Sequence, residues 1–441
     1  MSGRDAAYFF QPQTLKRDYT YYECAKPQYE SLSASSFLSA RDYGAVGDGV
    51  ADDTKALNTL FQAAAETNGS RIAFLDAGYY KVSDTVYIPP GAHIVGEALA
   101  AVIMGAGPKF GDMEKPYPVV MIGKPDEEGR IEMSDIIVST QGASPGAVLV
   151  QYNLKTLGDE PSGLWDVHVR IGGFARSNLQ SAECPATAQL TNYIKPDCIA
   201  AHTSMHITPS AGHLYMENNW LWVAYHDIDD LKMTQISVFA GRGLLIEGSK
   251  IWLVGTAVEH HTLYQYQLVN ASNIWMGQIQ TETPYYQPNP PAPHPFNVRN
   301  MKYWDPDFDA DCQSSSYNAE PRDVSATHDI PGSPPCAMAW GLRILNSQDV
   351  VVFGAGLYSF FNNYRTNCSR LETGENCQAR MLYVEEAQKD LRNSKVQSTV
   401  EMYNLNTVGT VSMLTHHDAG DLAFWHDNFV NFASTLAVFR C

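Results

Sequence analysis

The chain of 441 residues is 44% hydrophobic and only 18% charged, which excludes a disordered chain and a charge-patterned coiled coil. Its formal charge of −18 leaves no basic footprint for a nucleic-acid partner. No apolar run approaches the roughly 18 residues of a membrane span, so no membrane partner is expected.

In chain order, residues 1–36 are polar and tyrosine-rich, a lead-in resembling a linker. They show no apolar core of a signal peptide. The segment RDYGAVGDGVADDTKALNTLFQAAAE (Arg41 to Glu66) opens on a glycine-punctuated turn. Asp52 or Asp53 is placed to cap a helix beginning near Thr54. Ala56, Leu57, Leu60, Phe61 and Ala64 recur at helical spacing, so one face is buried. A short helix ahead of a long strand-rich region suits a cap over an open apolar end.

From Ile72 onward the period changes to short β-rich runs split by Gly, Asp and Pro. Such runs begin at Ser134, Trp165, Asn218, Gly243 and Gln348. KIWLVGTAVEHH begins at Lys250 and NIWMGQIQTETP follows 23 residues later, at Asn273. A repeat this short cannot bury its own face and must stack on a neighbour. The expected fold is all-β: a right-handed parallel β-helix with a short N-terminal capping helix, spanning residues 37–441 as one domain. An antiparallel sandwich or propeller is the alternative architecture. A long insertion at about 284–345 interrupts the stacking, with six prolines between Pro284 and Pro295. Its aromatic residues and two cysteines point to an ordered loop over the site.

Aligning the two repeats sets Ile251 over Ile274 and Trp252 over Trp275, which brings Glu259 and Glu282 to equivalent positions on neighbouring coils. Two facing carboxylates cannot both ionise comfortably, so one holds its proton while the other is charged. That pairing is what glycosidic cleavage requires. Gln280 lies in the same QTETP string as Glu282. Tyr285, Tyr286 and Trp304 offer flat rings for sugar binding. A weaker constellation, Asp227, Asp229 and Asp230 with Arg242 downstream, suits a calcium-dependent pectate lyase or a polygalacturonase. His260 and His261 lack a third ligand at zinc spacing, so no metal or other cofactor is expected. Eight cysteines include pairs close in sequence: Cys184/Cys198, Cys312/Cys336 and Cys368/Cys377. With sequons at Asn68, Asn270 and Asn367, they favour a secreted, oxidised protein. Spacing alone does not settle their connectivity.

The string RDYGAVGDGVADDTKAL resembles the opening of pectate-lyase-superfamily β-helix domains. IVGEALAAVIMGAGPKFGD, GTAVEHHTLYQYQLVNASNIWMGQIQTETPYYQPNP and MYNLNTVG are more specific. They resemble the second β-helix domain of fungal glycoside hydrolase family 55, the β-1,3-glucanases, from about Tyr29 to the C-terminus. The resemblance implies an inverting hydrolase with Glu282 as general acid and Glu259 as the carboxylate that orients the attacking water. Its members carry two β-helices with the substrate pocket between them, and the GDG-x-x-DD opening occurs once here. The expectation is therefore a β-1,3-glucan hydrolase, or the catalytic half of one lacking its first domain. The alternative is a non-catalytic β-helix that binds glucan or serves another partner, with the lyase ranked below both.

Overall fold

The computed structural model describes residues 23–186, 193–296, 299–313, 335–370, 374–386 and 400–441. Most of the lead-in and residues 314–334 of the insertion lie outside the described residues. Short strands wind into a right-handed parallel β-helix in which each coil bonds to the next in register. The two repeats stack as aligned: Ile251 on Ile274 and Trp252 on Trp275, with Val350 and Val351 continuing the columns on the following coil. Strand side chains alternate between the two faces, so one column points inward and its neighbour outward. Ile251, Ile274 and Val350 are completely buried in the solenoid core. Trp252 and Trp275 belong to a separate outer cluster with Trp165, Tyr215 and Val351.

Corners recur at fixed positions on successive coils. Asp135, Asp166, Asn218, Gly255, Gln278, Gly354 and Asn404 all have positive φ. Asn, Asp and Gly dominate this set because they reach the left-handed region at least cost. The bend they make turns the strand after it onto a new face, and that face carries the candidate site.

The capping helix runs Thr54–Ala65 and buries Leu57, Leu60, Phe61 and Ala64. The two aspartates before it divide the work. Asp52 accepts the Thr54 backbone N–H (3.0 Å), whereas Asp53 turns back to accept the N–H groups of Val46 and Gly47 (2.6 and 2.9 Å). Asp53 is thus buried by the glycine turn and does not cap through its side chain. The described end of the lead-in docks on the solenoid: Lys26 pairs with Asp135 and Asp166 at 2.6 and 3.0 Å.

The insertion differs from expectation in position and extent. Strand resumes at Trp340, within the segment expected to be loop. Phe296, Tyr303 and Phe308 are buried with Tyr264, Leu245 and Trp340, so this part of the insertion plugs the opposite sheet rather than covering the glutamates. Arg242 anchors it, donating Nε–H to Asp305 at 2.6 Å and meeting the second Asp305 oxygen through Nη2. Cys184–Cys198, Cys312–Cys336 and Cys368–Cys377 form disulfides that pin loops, while Cys24 and Cys441 are free thiols. The three sequon asparagines are exposed.

Close stacking makes some glycines irreplaceable for lack of room. At Gly243 a methyl group would overlap the Gln265 carbonyl oxygen on the next coil and the Val258 side chain. Gly243→Ala is expected to destabilise the fold by about 1–3 kcal/mol, as overpacked cores do. Chemical denaturation of the variant beside the parent chain measures this.

Candidate active site

After the corner column, each coil contributes a short strand whose alternate residues face outward. Leu221, Val258, Ile279 and Thr281 point into the core and are buried. Outward, register carries one row across five coils: Arg170 pairs with Trp222, Trp222 with Glu259, Glu259 with Glu282, and Glu282 with Tyr358. A second row, two residues earlier, holds Trp220, Ala257, Gln280 and Gly356. The two glutamates are therefore direct neighbours on adjacent coils, about 4.8 Å apart at the backbone.

They line a cleft of about 390 Å³ together with Arg170, Trp220, Trp222, Tyr225, His226 and Ile228. That volume falls in the range of small-molecule pockets. Trp220 and Trp222 stack at 4.9 Å with an interplanar angle of 27°, forming one aromatic wall. Tyr225 meets Trp222 and His260 edge-on at 6.3 and 5.3 Å. Their flat apolar faces suit pyranose rings.

The glutamates differ in environment. Glu259 is buried, and its carboxyl is held above the ordinary value by burial and by the charge of Glu282. His260 and the nearby Trp220 and Gln280 side chains oppose that rise. Glu282 is more open, with a quarter of its side chain exposed. Its Oε1 lies 3.4 Å from the Gln280 amide and its Oε2 3.4 Å from His260 Nε2. Burial and the neighbouring glutamates keep the Tyr225 phenol protonated, and burial with Glu282 does so for Tyr358. Burial also holds Arg170 below its usual value. The arrangement can place one proton donor and one base side by side against an aromatic platform.

Not every sequence-predicted residue reaches this cleft. Glu259, Glu282 and Gln280 come together. Tyr285 and Tyr286 are completely buried beneath it: Tyr285 donates its hydroxyl to the Ile236 carbonyl (2.7 Å), and Tyr286 packs on Phe239. Tyr285 supports Tyr225 and His260 from behind, with no face free for a sugar. Trp304 stands on the opposite sheet, donating its indole N–H to Glu247 at 3.0 Å. The acid cluster also disperses into turn contacts. Asp227 accepts from Gln180, Ser181 and the Asp229 N–H, while Asp229 accepts from the Ala175 N–H. Arg242 is committed to Asp305, away from those acids.

A pectate-lyase-like family model, rhamnogalacturonase A/epimerase, matches residues 37–142. The chain is 45% identical to a glucan 1,3-beta-glucosidase of Cochliobolus carbonum, over 96% of this chain and 49% of that protein. It is 41% identical to a probable glucan endo-1,3-beta-glucosidase of Arthroderma benhamiae, over 95% of this chain and 43% of that protein. These matches, each running over nearly the whole of this chain, support a β-helix domain of the glycoside hydrolase family 55 kind. Among solved structures, sacteLam55A from Streptomyces sp. SirexAA-E aligns with 92% of this chain and 55% of its own, at 15% identity and a TM-score of 0.48. The chain spans about half the length of the curated relatives it matches.

Arg170, Trp220, Trp222, Tyr225, His260 and Tyr358 were not singled out from the sequence as parts of this cleft. The alternation in NNWLWVA was visible, yet nothing in it states that Trp222 stacks on Glu259. The loops between these coils vary in length, so counting residues does not align them.

Burial of Glu259 has a consequence for stability. A carboxyl whose folded value is raised stabilises below its unfolded value, and this contribution is lost as pH rises through the folded value. Glu259→Gln is therefore expected to melt above the parent at about pH 7, with the gap closing towards about pH 4, near the usual glutamate value. Calorimetry across that range reads the difference, and an equal or lower melting temperature at neutral pH would contradict the assigned environment.

Proposed function

We propose that this domain carries the catalytic carboxylates for hydrolysis of β-1,3-glucan by an inverting mechanism. The observation that carries the reading is the in-register pair Glu259 and Glu282 beside the Trp220–Trp222 wall. Glu282, the more open of the two, is the general acid that protonates the leaving glucoside oxygen. Glu259 orients and deprotonates the attacking water. Gln280, between the two carboxyls, holds their relative orientation.

The substrate class follows from the two β-1,3-glucosidase relatives, each matched over about half its length. On that account a second β-helix supplies the facing wall of the pocket. The three disulfides fit an oxidising, extracellular setting.

Incubation of the chain with laminarin, followed by proton NMR, tests the proposal. The expected product is the α-anomer, with Glu282→Gln lowering the rate by about 10²–10⁴-fold, the usual size of a general-acid effect. Trp222→Ala is expected to weaken substrate binding more than turnover. A folded chain that retains glucan and releases no sugar would instead favour the binding-only reading.

A further inference from the structure

We propose that His260 is a positioning residue that shares one proton with Glu282, between imidazole Nε2 and carboxylate Oε2, and so keeps the acid loaded. This rests on the hydrolase reading above.

His260 has no exposed surface and follows Glu259 directly on the same coil. Its backbone is in the left-handed region, with φ of +69°. A non-glycine residue held there is strained and persists only where its surroundings impose it. Here they do so from two sides. The His260 backbone N–H donates to the Glu282 carbonyl oxygen at 2.8 Å, and Nδ1 lies 2.9 Å from the Val223 carbonyl oxygen. A carbonyl oxygen only accepts, so Nδ1 carries a hydrogen. The ring orientation is then fixed and Nε2 faces Glu282 at 3.4 Å. A bare Nε2 lone pair against an ionised carboxylate would set two acceptors face to face, with the imidazole fully buried and the carboxylate only partly open to water. One proton between them removes that conflict, either as carboxylic acid with neutral imidazole or as carboxylate with imidazolium. The contact is long for a finished hydrogen bond, as catalytic contacts often are before substrate binds.

The surroundings favour retaining that proton. Burial opposes a charged His260, but Glu282 and Glu259 outweigh it and raise its proton affinity. The adjacent His261 is driven neutral by burial, to about 3, and sits between Ser204 and Gln265. Burial and His260 together lower His226, so neither neighbouring imidazole competes for the charge. Tyr225 and Tyr285 pack edge-on and stay protonated, and Arg170 stands two coils away in the row that holds the glutamates.

In the reaction, the proton passes from Glu282 to the glycosidic oxygen as the C–O bond breaks, its electron pair going to that oxygen. Water bonds to the anomeric carbon and gives its proton to Glu259. Glu282 is left as a carboxylate facing His260; a proton from solvent restores the bridge, and Glu259 releases the water's proton to solvent.

Imidazole ¹⁵N NMR of the histidine-labelled full chain reads the shared proton directly, with His260→Asn assigning the resonance. His260 is expected to titrate above a free imidazole in the parent chain and below it in Glu282→Gln, which leaves the ring in place. An unchanged titration in Glu282→Gln would overturn the proposal. In kcat/KM on laminarin, His260→Asn is expected to move the alkaline limb towards acid pH, since no imidazole then helps to hold the proton. A loss equal at every pH would reduce His260 to packing and overturn its positioning role. If the parent chain released no sugar, the hydrolase reading would fall, and the titration alone would decide whether the proton is shared.

Discussion

In-register parallel stacking is the constraint on which the rest of this structure depends. Each strand position is repeated on the coil above and the coil below, so residues distant in sequence become nearest neighbours in a column. Columns then divide the work: Ile251, Ile274 and Val350 fill the core, while Gly255, Gln278 and Gly354 turn the corner. The row Arg170, Trp222, Glu259, Glu282 and Tyr358 is built by the same rule, with the polar and aromatic groups of the candidate site in place of packing. A one-residue slip in any of these strands would turn its outward residue into the core. The corners and tight glycines such as Gly243 therefore protect the site as much as the fold.

The same stacking creates an electrostatic cost that the fold must offset. Two carboxylates on adjacent coils repel, and burial of Glu259 adds to the penalty. Relief comes locally: Gln280 stands between them, and His260 is wedged behind by contacts to Val223 and Glu282. Tyr285 closes the back of that arrangement without reaching the cleft. On the opposite sheet, Arg242 and Asp305 solve a different problem. They are a buried ion pair that fastens the insertion, surrounded by Tyr303 and Phe296. These two charged clusters thus lie on different sheets, the candidate site on one and the anchor of the insertion on the other.

Legibility from sequence followed the regularity of the coils. The helix at Thr54–Ala65 was readable because its apolar spacing is local. Glu259 and Glu282 were readable because the coil between them is short and carries matching tryptophans, Trp252 and Trp275, that set the alignment. Trp222 was not, since the turns between it and Glu259 have no counterpart in the next coil. The aromatic residues after Thr283 misled for the opposite reason. Tyr285 and Tyr286 are close to Glu282 along the chain, but the chain turns inward there and both rings enter the interior. Trp304 shows that an insertion beginning at a site need not stay there. Sequence proximity stands in for spatial proximity only within one strand, and stacking replaces it everywhere else.

The separation of the glutamates is the remaining physical question for an inverting reaction. One coil step is about 4.8 Å at the backbone, close to the 5–5.5 Å of retaining pairs and short of the roughly 6.5–9.5 Å that leaves room for water. The side chains, however, do not share one environment. Glu259 is drawn into the buried part of the cleft, whereas Glu282 reaches its open part with a quarter of its surface exposed. Side chains that leave a common row towards different depths have room to hold their carboxyls farther apart than their backbones. Gln280, set between them from the neighbouring row, opposes their collapse onto each other. Water would then occupy the Glu259 side of the sugar and the leaving oxygen the Glu282 side. Register brings the pair together, and on the inverting reading proposed above the unequal burial of the two side chains has to supply the extra spacing.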